Sequence, residues 1–276
     1  MRALVGPVPE PAERASSALR RCPTGTVELD GRPAFHSAGD NPAVANPAFG
    51  HPAITTSVQL VHQVPDTADL WMALPIADAA TIPFGGTRAR LEVLDEITGG
   101  AAQGQCRRVV VVDGLLEAPG VRAQRRAAAD IAADLPDSVL LGVGTDIALG
   151  RLRADRIRLA DHHGVTDIAP DDLATSGPDP FTDLEGHWLE HLNDPRCDVV
   201  PRIALRVCRC LPAERPLLVG IDRAGVDLEI VDREDRVHRK RLPFAEACAD
   251  VRGLGTQLRL LAGDARYPLD RAALRP

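Results

Sequence analysis

Two histidines four residues apart, with a glutamate beside the second, give the string His187-x-x-Glu190-His191. On a helix they share one face, where two imidazoles would bind zinc and Glu190 would activate the metal's water. A catalytic zinc also needs a third protein ligand. Glu214, Glu229, Glu234 and Glu246 lie downstream, but none stands on a second motif helix. The zinc-hydrolase reading therefore competes with a plain solvated helix face. Cys197, Cys208, Cys210 and Cys248 lack the paired Cys-x-x-Cys spacing of a zinc knuckle and read as small apolar or free thiols. Gly142-Val143-Gly144 lacks the remaining glycine of a dinucleotide fingerprint and is discarded.

Arg236, His238 and Lys240 alternate onto one strand face, with Arg239 and Arg241 on the other, the one concentrated basic patch in an acidic chain. Such a patch would hold propionates, phosphate or an acidic partner; it serves equally as a charged edge strand that resists aggregation. Arg88 and Arg90, like Arg107 and Arg108, would reach a ligand at a barrel mouth. His162 and His163 in a loop, and His62 on an apolar strand face, complete the candidate contacts for an iron or a flavin. A lone histidine on such a face is more often a hydrogen-bonded core residue.

These residues need elements to hold them. Residues 9–22 read as a short helix stopped by Pro23. Asp30-Gly31 between apolar runs predicts a hairpin within 26–35, and residues 37–54 a long loop. Alternation at Val58, Leu60, His62 and Val64 and the run Leu70–Leu74 predict a second hairpin through Pro65-Asp66. Strands over 87–97 and 106–112, a helix over 121–135 and strands over 146–153 and 156–160 complete an antiparallel barrel. Residues 161–177 read as a polar linker. Thr182 with Glu185 is a capping-box signature for a helix ending near Asn193. A second helix must start late or kink at Pro201. Strands 217–222, 226–231 and 236–242 and a helix with Val251, Leu254, Leu258 and Leu261 on one side follow. The fold class is thus α+β: a split barrel over 1–165, a linker over 166–179, an α-α-β-β-β-α domain over 180–264 and a tail over 265–276.

Composition excludes several classes. At 276 residues and net charge −7 the chain is not a nucleic-acid-binding body, which would gain affinity from excess Lys and Arg. It has no apolar run near the ~18 residues a membrane span requires and no secretory signal, which points to the cytoplasm. Aromatic residues are 3% of the chain, leaving few platforms for base stacking.

The run from Leu152 through Asp161-His-His-Gly164, Pro178-Asp-Pro-Phe181, Trp188-Leu-Glu-His-Leu-Asn193, Gly220-Ile-Asp-Arg-Ala-Gly-Val-Asp-Leu228 and Arg241-Leu-Pro-Phe244 resembles the HugZ-type heme-utilisation family. The resemblance implies a split barrel similar to the flavin barrels of pyridoxamine-phosphate oxidases, fused to a small C-terminal domain. It further implies a homodimer, heme or FMN near the dimer interface and, in some members, oxidative opening of heme; a plant relative is instead a regulatory protein with a protein partner. The family's second helix begins Asn-x-Asp-His-x-Asp, where this chain has Pro195 and Arg196 in place of the aspartate and histidine. Residues 264–276 also lack the histidine that heme-degrading members carry in their tail. The expectation is a tetrapyrrole- or flavin-binding protein contacting its ligand through His62, His162, His163, His191, Arg88, Arg90, Arg236, His238 and Lys240. The alternative is a non-catalytic regulatory module.

Overall fold

The computed structural model describes residues 8–33, 54–97, 104–162, 164–208 and 215–263. The loop expected over 37–54, His163, Cys210 and the tail all fall outside these residues apart from Ile54, which opens a strand. Two compact units emerge: residues 11–95 with 107–177, and residues 178–276 with 1–10 and 96–106.

The first unit begins with α1 (Pro11–Arg21) and continues through β1 (Gly25–Pro33), β2 (Ile54–Val58), β3 (Leu60–Gln63), β4 (Leu70–Pro75) and the single turn α2 (Ile76–Ala79). Then come β5 (Thr87–Glu96), β6 (Cys106–Glu117), α3 (Val121–Asp134), β7 (Ile147–Asp161), β8 (Gly164–Ile168) and α4 (Pro170–Thr175). Among the described residues the antiparallel sheet runs β2-β1-β5-β6-β7-β4-β3, with β8 beside the second half of β7. Its inner face packs Val27, Leu70, Met72, Leu91, Val93, Val112 and Ile157 against Ala15, Ala18 and Leu19 of α1. Across β3, β4 and β7, α3 covers the outer face: Ala127, Ala128 and Ile131 lie on Leu60, Ala73 and Leu149. Covered on both sides, β4 is apolar almost throughout; β5, open on one side, alternates strictly between buried and exposed.

Three expectations are corrected here. Asp30-Gly31 makes no hairpin: β1 runs straight through it, pairs with β2 and β5, and absorbs the irregularity as a register shift between Leu29 and Pro33. The two strands read at 146–160 are one 15-residue strand, bulged opposite Asp113 and Gly114 so that Asp155 is skipped. A Cβ on Gly114 would lie 2.2 Å from the Arg153 carbonyl oxygen, so that close crossing admits only glycine. The stretch read as linker forms β8 and α4, because Ile168 and Leu173 are apolar enough to join the inner core.

The second unit contains α5 (Glu185–Leu192), α6 (Val199–Ile203) continued by a π turn over 204–208, β9 (Arg215–Asp222), β10 (Gly225–Val231), β11 (Val237–Pro243) and α7 (Val251–Ala262). Its sheet runs β11-β10-β9, antiparallel throughout. Phe181, Leu189, Ile203, Leu218, Leu228, Leu254 and Leu258 form its core, joined by Ile97 from residues 96–106. Pro201 falls in the first turn of α6, where a missing N–H costs nothing. The capping box does not form. Thr182 Oγ1 donates to the Asp179 carbonyl (2.7 Å), and the buried Glu185 carboxylate accepts from Ile221 N–H (2.9 Å).

Candidate functional site

On the outer face of the first unit's sheet, one cross-strand row gathers chemically distinct side chains. His62 on β3 pairs with Trp71 on β4, Trp71 with Arg151 on β7, and Arg151 with Glu117 on β6. Residues directly opposite one another on neighbouring strands share a face, so imidazole, indole, guanidinium and carboxylate stand side by side. The Arg151 guanidinium lies 6.0 Å from the Trp71 ring centroid, within cation–π reach. Asp69 fixes it by accepting from Nε (2.9 Å) and Nη2 (2.7 Å), on a side chain that is 40% exposed. Leu60, Ala73 and Leu149, one row further along, hold α3, and Trp71 packs against that cluster.

His62 is the nominated residue this row contains, and it is tightly held. Its side chain is 10% exposed, and Nε2 lies 3.0 Å from Asp134 Oδ2 at the end of α3. Arg20 of α1 donates to the same oxygen at 2.5 Å. Burial works against the Asp134 charge, but the His62 hydrogen bond and the Arg20 guanidinium outweigh it and hold the carboxyl below its ordinary range. His62 Nδ1 is buried with no hydrogen-bond partner among the described residues.

A second cluster escaped the sequence reading. Asp95, the last inward position of β5, is fully buried and receives Arg21 Nη2 (2.9 Å), Arg107 Nε (3.2 Å) and Arg108 Nε (2.9 Å). Burial alone would raise its carboxyl; the three guanidiniums reverse that and hold it far below the usual carboxylate range. The signal was present, since Asp95 stands in phase with Ala89, Leu91 and Val93. Arg107 and Arg108, expected at a ligand, are engaged by this carboxylate.

The other nominated residues do not join the row. Arg88 and Arg90 project from the same outer face four strands from His62, where Arg88 pairs with Asp155 and Arg90 with Asp113 at 2.6 Å, an acid it shares with Arg158. Half-buried Val109, Val111 and Leu115 and exposed Leu94 lie among these ion pairs. His162 sits in an exposed turn between β7 and β8. In the second unit the basic strand is answered by acids of its own sheet and turn. Arg236 and His238 both reach Asp232, Arg239 reaches the buried Glu229, and Arg241 reaches Asp222 and Asp227. Lys240 lies half-buried on the same strand.

His187 and His191 are both exposed on α5, and among the described residues no group of three His, Cys, Asp or Glu is placed to hold a metal. Arg196, at the position of the family's histidine, is 91% exposed and closes a turn on Asp194. The residues around it are anchors for the outer edge of β9. Asn193 brackets Leu218 with two 2.8 Å bonds, Glu185 takes Ile221 N–H, and Asp179 takes Arg223 N–H. Side chains thereby satisfy a strand edge that would otherwise be open. Cys248 is buried beside them, its thiol pushed up to about 11 by burial.

No family model matches the chain, and no curated protein matches it either. Among solved structures it is similar to a heme binding protein from Mycobacterium smegmatis, at 17% identity and a TM-score of 0.53 over 94% of this chain and 98% of that one. A protein of unknown function from Agrobacterium tumefaciens matches at 17% identity over 94% and 99% of the two chains, with a TM-score of 0.41. The heme storage protein HutZ from Vibrio cholerae matches at 13% identity over 55% and 93%, with a TM-score of 0.36. The first establishes likeness of fold over nearly the whole chain. The chain's own antiparallel sheet, with α1 on its inner face and α3 on its outer face, has the α+β split-barrel architecture expected above.

Proposed function

We propose that the protein binds a tetrapyrrole, heme or a close relative, on the outer face of its split barrel, and does so as a homodimer. The observation that carries this reading is the row of His62, Trp71 and Arg151. An indole offers a flat apolar surface, a guanidinium beside it pairs with a carboxylate, and the row spans roughly 10 Å, two inter-strand spacings. That combination suits a broad conjugated ring bearing propionates. The fold shared with a heme binding protein supports it. A flavin would need a phosphate site, and Arg88 and Arg90, expected to reach a ligand at the barrel mouth, are paired with Asp155 and Asp113 three strands away from the Trp71 ring. Tetrapyrrole is therefore the preferred ligand and FMN the alternative. The role proposed is binding, carried by Trp71 and Arg151.

The dimer rests on the remainder of that face. Between β5 and β7 the arginines and carboxylates are matched, and Leu94, Val109, Val111 and Leu115 lie between them, a surface suited to a second copy. Light scattering is expected to give twice the 29.5 kDa chain mass; a monomer at micromolar concentration removes the dimer. For the ligand, Arg151→Ala is expected to weaken hemin binding about tenfold, the ~1.4 kcal/mol of one charge-assisted contact. Unchanged affinity in Arg151→Ala, or tight FMN binding in place of hemin, overturns the reading.

A further inference from the structure

We infer that Trp71 and Arg151, braced by His62, recognise the conjugated ring and its carboxylates and leave the iron alone, so that the row takes a metal-free porphyrin as readily as heme. This rests on the tetrapyrrole reading above and narrows the ligand class within it.

Which histidine nitrogen is free decides the matter. Imidazole binds a metal through the nitrogen that carries a lone pair, and the hydrogen bond made by the other nitrogen fixes which one that is. Asp134 also holds Arg20, so its carboxylate is ionised and can only accept. His62 Nε2, 3.0 Å away, therefore carries the hydrogen and donates it. Only Nδ1 can then offer a lone pair, and that atom is buried in the protein. One nitrogen is occupied and the other enclosed, so neither reaches an iron on the sheet face.

His62 acts instead as a brace. Through Asp134 it ties β3 to the end of α3, and through Arg20 the same acid is tied to α1. That brace fixes the edge of the row at which Trp71 packs. The groups of the row left for a ligand are the half-buried Trp71 ring and the 40%-exposed Arg151 side chain, and both bind porphyrin and heme alike. Asp69, which orients Arg151, positions it without touching the ring.

The test is a parallel titration of the full chain with hemin and with protoporphyrin IX, followed by Soret absorbance and by porphyrin fluorescence. The two dissociation constants are expected to agree within about threefold, less than ~1 kcal/mol, and Arg151→Ala to weaken both alike. The hemin Soret position is expected to be the same in wild type and in His62→Ala. Should His62→Ala fail to fold, His62→Gln retains an N–H for Asp134 and serves the same comparison. Hemin binding tighter than protoporphyrin by about tenfold or more, with a Soret shift lost in either His62 variant, overturns the inference while the tetrapyrrole reading stands. Binding of neither compound overturns both.

Discussion

Asp95→Asn is expected to destabilise the protein by about 3–5 kcal/mol at neutral pH, the range for breaking a buried ion pair by removing one partner. Asparagine keeps the shape of the side chain, so packing is nearly conserved and the loss is electrostatic. Three guanidiniums that share one carboxylate at 2.9–3.2 Å would be left facing a neutral amide in a buried place. Acid should produce the same loss in the wild type. The Asp95 carboxyl is held below its ordinary value in the folded protein, so its contribution is fully present above the unfolded value of about 3.9 and is lost as pH falls through the lower folded value. The gap between wild type and Asp95→Asn should therefore be constant from pH 7 to about pH 4 and narrow below that. Urea unfolding midpoints at several pH values measure this directly. A variant as stable as wild type at pH 7, or a gap that widens on acidification, would show that the three arginines do not depend on this carboxylate.

Asp95 also marks the limit of what the sequence could reveal. Periodicity located the strands of the second unit to within two residues and β5 to within one, because alternation is a local consequence of which side meets solvent. The errors came where a distant partner decided the outcome. Asp30-Gly31 carries a hairpin signal, but β1 found its partners at 54–58 and 87–92. Thr182 and Glu185 have capping-box spacing, yet Glu185 is drawn to the open edge of β9, 36 residues away in the chain. The site behaves in the same way. His62 was legible as an unusual residue on an apolar strand. Its neighbours Trp71 and Arg151 were not, because only the register of β3, β4 and β7 brings residues 62, 71 and 151 into one row. The basic strand was legible as charge, but the acids that neutralise it lie across β10 and the intervening turn.

Phe181→Ala is expected to cost about 3–5 kcal/mol, the range for truncating a fully enclosed phenylalanine, and to be felt first in the second unit. Phe181 is 1% exposed and precedes α5, held in place by its own N–H to Asp179 Oδ1 at 2.9 Å, while Asp179 Oδ2 takes Arg223 N–H at 2.8 Å. The ring therefore fills the core at the point where the entry segment is fastened to the β9–β10 turn. Arg223 in turn accepts from the Cys248 backbone and thiol, which makes Cys248 a reporter for the same spot. In the folded protein that thiol is buried and its pKa is pushed up to about 11, so little thiolate exists near neutrality and alkylation should be slow. Loss of about 3–5 kcal/mol raises the open population by roughly 10²–10⁴-fold where opening is cooperative, and Cys248 alkylation should accelerate accordingly. Exposed Cys106, followed by mass spectrometry in the same sample, supplies the rate of a solvent-accessible thiol. Phe181→Leu, which keeps most of the volume, should fall near the wild type, within about 1.5 kcal/mol. Wild-type protection of Cys248 in Phe181→Ala would mean that the α5 entry segment is not needed to hold this core closed, and that Asp179, Glu185 and Asn193 fasten β9 without the ring between them.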